Sequence, residues 1–148
     1  MTRSAIYLET SVIGYATSRP SRDLVVAGHQ QVTREWFAER ARKYDLFVSQ
    51  LVASEAAGGD AAAARDRSAF IAEIPRLGVT VSAGALAEKL VSSGAVPRKA
   101  AEDALHIAVA AIHGVEYLLT WNCKHIANAA MRQAIERVCR DAGYEPPV

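Results

Sequence analysis

The sequence predicts an α/β protein: a three-layer α/β/α sandwich around a short, mostly parallel central sheet. Three observations lead there. Four short apolar runs are spaced along the chain, each bounded by polar residues or glycine, as strands are. Longer stretches of helical character separate them. Each run is nearly continuous in apolar character rather than alternating, as expected of a strand covered on both faces. Strands that alternate with helices in this way favour an open parallel sheet with helices on both sides. The 148 residues fit one domain spanning 1–148.

The first strand is residues 4–8, Ser-Ala-Ile-Tyr-Leu, closed by Glu9 and followed by Thr10 and Ser11. Residues 23–42 read as helix, with Leu24, Ala27, Val32 and the pair Trp36-Phe37 interspersed with Arg and Glu. The second strand, 45–49, runs into helical stretches at 50–57 and 60–74, with Ser49 as N-cap of the former. The third strand is 78–81, Gly-Val-Thr-Val, and another helix covers 83–93. Residues 98–113 begin after Pro97 and stop at Gly114, a helix start and stop of the usual chemistry. Within them the run from Ala104 to Ala111 is apolar almost all round, which marks a buried helix. The fourth strand is 117–120, and a final helix, 128–142, ends at Gly143. There is no repeat, no internal linker, and no biased tract beyond the alanines at 61–64.

Lys plus Arg number 17 and Asp plus Glu 16, for a net charge of +1. A protein that binds nucleic acid through bulk charge is far more basic, so any such contact rests on a local patch. Two cysteines, Cys123 and Cys139, do not make a disulfide scaffold. The N-terminus does not resemble a signal peptide, and no apolar stretch approaches the roughly 20 residues of a membrane span. These features read as a reducing, cytoplasmic setting with no membrane association. No GxGxxG, GxxxxGK[ST] or GxSxG occurs, so dinucleotide, P-loop and serine-hydrolase readings lack their signal.

Oxygen-bearing side chains mark the ends of several elements. Glu9 closes the first strand, Glu55 lies in the helix after the second, Asp103 near the head of the buried helix, and Asn122 two residues beyond the fourth strand. Ligands of open α/β sheets sit outside the carboxyl ends of the strands, so all four side chains can face one crevice. Acidic and amide oxygens gathered in this way suit a hard divalent cation. Three carboxylates brought together without a cation would repel one another.

Each residue also has a plainer reading. Glu9 fits a carboxylate near the positive end of the next helix dipole, although an acid closing a buried strand needs a solvating partner. Thr10 and Ser11 read as helix caps, with a hydroxyl near the metal site as the alternative. Glu55 and Asp103 taken singly read as solvated helix surface, and Asn122 as a turn residue. His106, three residues after Asp103, reads as a satisfied core histidine or as a group orienting that carboxylate. Cys123, His125, His106 and His113 match no zinc module. Lys124 and His125 fit either a phosphate contact or a solvated turn.

The chain also resembles a known family at these residues. Tyr7-Leu8-Glu9-Thr10-Ser11-Val12-Ile13 resembles the opening of PIN-domain proteins, whose first strand usually ends Leu-Asp-Thr-Ser. Ser49-Gln50-Leu51-Val52-Ala53-Ser54-Glu55 is similar to their second motif, which ends in an acid. Asp103-Ala104-Leu105-His106-Ile107-Ala108 and Leu118-Leu119-Thr120-Trp121-Asn122 resemble the third and fourth. The likeness runs from Ile6 to about Pro147 and is strongest to VapC-type toxins of bacterial toxin–antitoxin pairs.

That resemblance implies a small α/β/α domain and a Mg²⁺- or Mn²⁺-dependent ribonuclease, often a homodimer, with a small antitoxin protein covering the site. The family's acids fall on Glu9, Glu55 and Asp103. The usual first Asp is replaced by Glu9, one methylene longer. The usual fourth acid is replaced by Asn122, leaving three formal charges. On this reading Glu9, Glu55 and Asp103 hold the metal, Asn122 holds a water or a phosphate oxygen, and Thr10 or Ser11 orients the ligands. Arg98, Lys99 and Lys124 are the candidate grips on the RNA backbone, and the Trp36-Phe37 pair offers an aromatic anchor for an interface. The alternative is a catalytically weak or inactive PIN-like module that binds RNA or protein. A phosphatase with a nucleophilic Asp is less suited, because the first strand ends in Glu9 and no Asp-Xaa-Asp follows.

Overall fold

Four parallel strands form the centre of the molecule, in the order β3-β2-β1-β4. The computed structural model describes residues 2–148. The strands are β1 (Ala5–Leu8), β2 (Asp45–Ser49), β3 (Arg76–Leu77) and β4 (Tyr117–Leu119). Seven α-helices flank them among the described residues: α1 (Thr10–Thr17), α2 (Leu24–Glu39), α3 (Gln50–Ala56), α4 (Ala61–Ile71), α5 (Val81–Ser92), α6 (Ala101–Ile112) and α7 (Ala129–Asp141). This is the three-layer α/β/α architecture expected from the sequence.

Strand order places the helices. The chain steps from β1 to β2 to β3 in one direction and returns to β4 on the far side of β1. Right-handed crossovers then put α1–α4 on one face and α5–α6 on the other. The packing agrees, since α1 meets α2, α3 and α4, while α5 meets α6 and α7. Tyr7, Leu8, Ile13, Val48, Val52 and Ile71 belong to one core cluster. Leu86, Leu90, Ile107, Ile135 and Cys139 belong to the other. The buried helix expected at 104–111 is α6, which contributes to both clusters.

Local chemistry sets the boundaries. Asp23, Ser49, Asp60, Thr80 and Asn128 cap α2, α3, α4, α5 and α7 by accepting main-chain N–H bonds. The expected stops hold, with Gly114 at φ 68° and Gly143 at φ 93°, a left-handed geometry that favours glycine after a helix. The third strand is displaced from 78–81 to Arg76–Leu77, paired with Val48 and Ser49. There the Pro75 carbonyl accepts from Val48 N at 3.0 Å, starting the pairing early. Thr80 then accepts from Ala83 N at 3.1 Å, so cap chemistry overrides the strand preference of Val79 and Val81. The helix expected at 23–42 ends at Glu39, and a single 3₁₀ turn, Ala41–Lys43, follows.

Trp36 and Phe37 are both partly buried against the core. Trp36 stacks on Tyr44, and Phe37 meets Phe70 edge-on at 5.0 Å. Both rings are therefore used inside the molecule. On α2 the strongly exposed apolar side chains are instead Leu24, Val25 and Val32. Among the described residues no helix is long and apolar enough to cross a membrane.

Candidate metal centre

The crevice between β1 and β4 is where the chain reverses its direction of travel across the sheet, the place where open α/β sheets bind ligands. Glu9 stands there. Its main-chain N–H donates to Leu119 O at 3.1 Å, tying the end of β1 to the end of β4. Its side chain is buried and caps α1, with Oε2 accepting from Ser11 N at 3.1 Å. Oε1 accepts from two hydroxyls, Ser11 Oγ and Thr120 Oγ1, each at 2.5 Å. The cap of α1 is thus Glu9, and not Thr10 or Ser11. Those two serve the carboxylates instead: Ser11 clamps Glu9, and Thr10 Oγ1 donates to Glu55 Oε1 at 2.5 Å.

Glu55 projects from α3 toward the same place. Its Oε1 also contacts His106 Nε2 at 2.8 Å. The other ring nitrogen of His106, Nδ1, lies 2.6 Å from the Tyr7 hydroxyl, which in turn lies 2.8 Å from Ser49 Oγ. Ser49 Oγ accepts from Val52 N at 3.2 Å. A buried polar chain thus runs Ser49–Tyr7–His106–Glu55, and no buried side-chain polar atom lacks a partner among the described residues. Burial raises the Tyr7 phenol above its ordinary 10.0; the Ser49 hydrogen bond works the other way, and the charges of Glu55 and Glu9 add to the rise. For Glu55, burial would raise the carboxyl, but hydrogen bonds from His106 and Thr10 and the charge of His106 outweigh it. Its pKa lies below the ordinary value of 4.5.

Donor atoms of Glu9, Glu55 and His106 lie within 4.8 Å of one another. Two carboxylates expected from the sequence are therefore brought together, and the third member is His106. Asp103 stands outside that group. It occupies the first turn of α6, where Glu102 also lies, and its Oδ2 is 3.2 Å from His125 Nδ1. Asn122 is largely a turn residue: its Oδ1 accepts from His125 N at 3.0 Å and its main-chain O from Ala127 N at 2.9 Å. Arg98 is exposed and 3.7 Å from Glu88, and Lys99 and Lys124 are exposed as well.

Two contributors escaped the sequence reading. Tyr7 looked like one apolar residue of a strand. Thr120, whose hydroxyl donates to Glu9 Oε1 at 2.5 Å, read only as the last residue of the fourth strand. His106 had a usable signal: an imidazole inside an otherwise apolar helix must find partners. No protein-family model matches the chain, and no curated protein matches it.

Two carboxylates and an imidazole can hold a divalent ion. The oxygens suit Mg²⁺ and Mn²⁺, and the nitrogen tilts the set toward a transition ion. The hydroxyls of Thr10, Ser11 and Thr120 fix both carboxylates, as outer-shell partners of metal ligands commonly do.

Proposed function

We propose that the protein is a metal-dependent ribonuclease that hydrolyses RNA phosphodiester bonds, and that it acts as the toxin of a toxin–antitoxin pair. The observation that carries the first part is the meeting of Glu9, Glu55 and His106 within 4.8 Å at the strand-order reversal between β1 and β4. The resemblance of four ordered motifs to PIN-domain proteins supports both parts. A divalent cation in this crevice supplies Lewis acidity toward a phosphate oxygen and lowers the pKa of an attacking water.

The chain's own residues have distinct tasks in this reading. Glu9 and Glu55 carry the negative charge that attracts Mg²⁺ or Mn²⁺. Thr10, Ser11 and Thr120 hold those carboxylates in one orientation, and His106 keeps Glu55 ionised and aimed. Asp103, three residues before His106 on α6, supplies the remaining carboxylate and holds His125. Asn122 shapes the turn that presents Lys124 and His125, and Lys124, Arg98 and Lys99 are the cations available to phosphates. The reading extends to a cytoplasmic homodimer bound by a small antitoxin.

A second reading is favoured by a specific observation. Glu9, Glu55 and His106 all have hydrogen-bond partners within the protein, so the group is satisfied without a cation. That fits a PIN-like module that binds RNA or protein without cleaving it.

The experiment that separates them incubates the purified chain and its Glu9→Gln variant with single-stranded and structured RNA in Mn²⁺, Mg²⁺ and EDTA. Cleavage by the native chain alone, abolished by EDTA, is the expected result. A correctly folded chain that binds RNA yet never cleaves it would overturn the nuclease reading and leave the binding module.

A further inference from the structure

Both hydroxyls on Glu9 are themselves held by the main chain that follows β4. Ser11 Oγ and Thr120 Oγ1 each donate to Glu9 Oε1 at 2.5 Å. Ser11 Oγ accepts from Trp121 N at 2.9 Å, and Thr120 Oγ1 accepts from Asn122 N at 2.8 Å. A hydroxyl has a single proton to give. With an N–H on its acceptor side, that proton is directed to the carboxylate. Two consecutive main-chain donors thus aim the two hydroxyls. Trp121 and Asn122 lie past the last residue of β4, so their placement depends on something other than the strand.

The Trp121 indole supplies that support. Its Nε1 donates to Thr33 Oγ1 at 2.8 Å. Thr33 is buried and gives its own proton to His29 O at 2.6 Å, which leaves its oxygen free to receive the indole. The ring lies on His29, with centroids 4.1 Å and planes 15° apart. Tyr15 of α1 leans against both rings at 5.9 Å. α2 is thereby joined to Glu9 through Thr33, Trp121 and Ser11. A glutamate side chain turns about several bonds, and holding it still costs rotamer entropy. A clamp already built when the ligand arrives removes that cost from binding.

We propose that Trp121 is a positioning residue of the metal centre. Its indole, bonded to Thr33 and stacked on His29, holds the main chain of residues 120–122 so that Ser11 and Thr120 keep their protons on Glu9. Trp121 acts through those hydroxyls and is not itself a ligand. The role rests on the metal reading of the crevice. It also gives α2 a part in the site: that helix supplies no member of the Glu9, Glu55 and His106 group, yet it carries the anchor.

The test uses the full, metal-free chain and its variants. Trp121→Phe keeps a ring on His29 and loses the N–H. Thr33→Val keeps the shape and loses the acceptor, whereas Thr33→Ser keeps the acceptor. In Trp121→Phe and Thr33→Val, amide exchange at 121 and 122 should quicken by about tenfold more than that of the Leu86 N–H inside α5. Titration with Mn²⁺ should show about tenfold weaker binding in the same two variants and native affinity in Thr33→Ser. Ile135→Val, in the other core cluster, should lose stability without losing affinity. Exchange at 121 and 122 that merely follows Leu86 would overturn the anchor. Faster exchange with native Mn²⁺ affinity would overturn the positioning role. So would an Ile135→Val chain that binds Mn²⁺ as weakly as Trp121→Phe, since affinity would then follow stability alone. A native chain that binds no Mn²⁺ would overturn the metal reading and this role with it, a failure visible before any variant is made.

Discussion

His106 Nε2 lies 2.8 Å from Glu55 Oε1, with the ring 1% exposed and the carboxylate partly so. An ionised carboxylate only accepts, so Nε2 carries the proton in this bond. In the neutral tautomer Nδ1 is then an acceptor, and the Tyr7 hydroxyl donates to it. One imidazole thus joins the core hydroxyls to the crevice carboxylate. Replacing His106 with Ala leaves the Tyr7 hydroxyl and Glu55 without their partner and opens a cavity. The expected loss is about 3 kcal/mol, read from urea unfolding. A variant as stable as the native chain would show that the chain of hydrogen bonds contributes little.

The same contact sets an acid dependence. The Glu55 carboxyl is held below its ordinary 4.5, so the folded state favours the ionised form. That contribution is present above the unfolded value of 4.5 and is lost as pH falls through the lower, folded value. Denaturation curves collected down a pH series should show a decline below 4.5, smaller in Glu55→Gln. Equal slopes for the two chains would contradict the assignment.

Thr120 is the outer support of Glu9. Its hydroxyl donates to Oε1 at 2.5 Å and accepts from Asn122 N at 2.8 Å. Thr120→Val preserves shape but leaves both groups a partner short, at a cost of about 1–2 kcal/mol. If the crevice holds a metal, affinity should also fall by roughly 10–100-fold, the usual effect of removing such a support. Titration with Mn²⁺ measures the affinity, and thermal unfolding without metal measures the stability.

The sequence made the skeleton legible and the crevice only partly so. Strands 45–49 and 117–120, the latter ending one residue earlier at Leu119, were visible because buried parallel strands are short apolar runs. Gly114 and Gly143 were visible because only glycine accepts their backbone geometry cheaply. The third strand was misplaced because Val79 and Val81 carry strand propensity, whereas pairing is decided by which carbonyls face Val48. At the crevice, Glu9 and Glu55 were recognisable as acids at element ends. Their meeting with His106 depends on the facing of α3 against α6, a tertiary relation that spacing along the chain does not encode. Asn122 was assigned to a water or a phosphate oxygen, with a turn residue as the plainer reading; its side-chain oxygen accepts from His125 N, within the turn.

Metal binding should be visible without RNA. A cation that binds only the folded chain stabilises it by about 2.7 kcal/mol at a hundredfold excess over the dissociation constant. For a chain of this size that corresponds to roughly 5–10 °C in Tm. If binding displaces the Nε2 proton so that the His106 imidazole joins the two carboxylates, Mn²⁺ should act at lower concentration than Mg²⁺; equal potencies would mean that Nε2 stays bonded to Glu55. Glu9→Gln should abolish the shift and Asp103→Asn should reduce it. If Asp103→Asn matches the native chain, Asp103 serves only His125.

Alkaline stability tests a part of the molecule far from chemistry. Cys139 lies on α7 with no solvent exposure, and burial pushes its thiol from 9.0 up to about 11, against the opposing charges of Arg132 and Arg140. Folding therefore favours the neutral thiol. Its contribution is complete below the unfolded value of 9.0 and is lost as pH rises through about 11. Tyr7, raised above 10.0, adds a second loss in the same direction at higher pH. The native chain should lose up to about 2 kcal/mol through the Cys139 step, read as a falling urea midpoint. In Cys139→Ala the decline should begin only above 10.0, where Tyr7 starts to act. The variant is less stable at neutral pH because it leaves a small void, so the slope against pH, and not the midpoint at any one pH, carries the test. A native slope that is flat between 9.0 and 10.0 would mean that the α7 core opens enough to hydrate the thiolate.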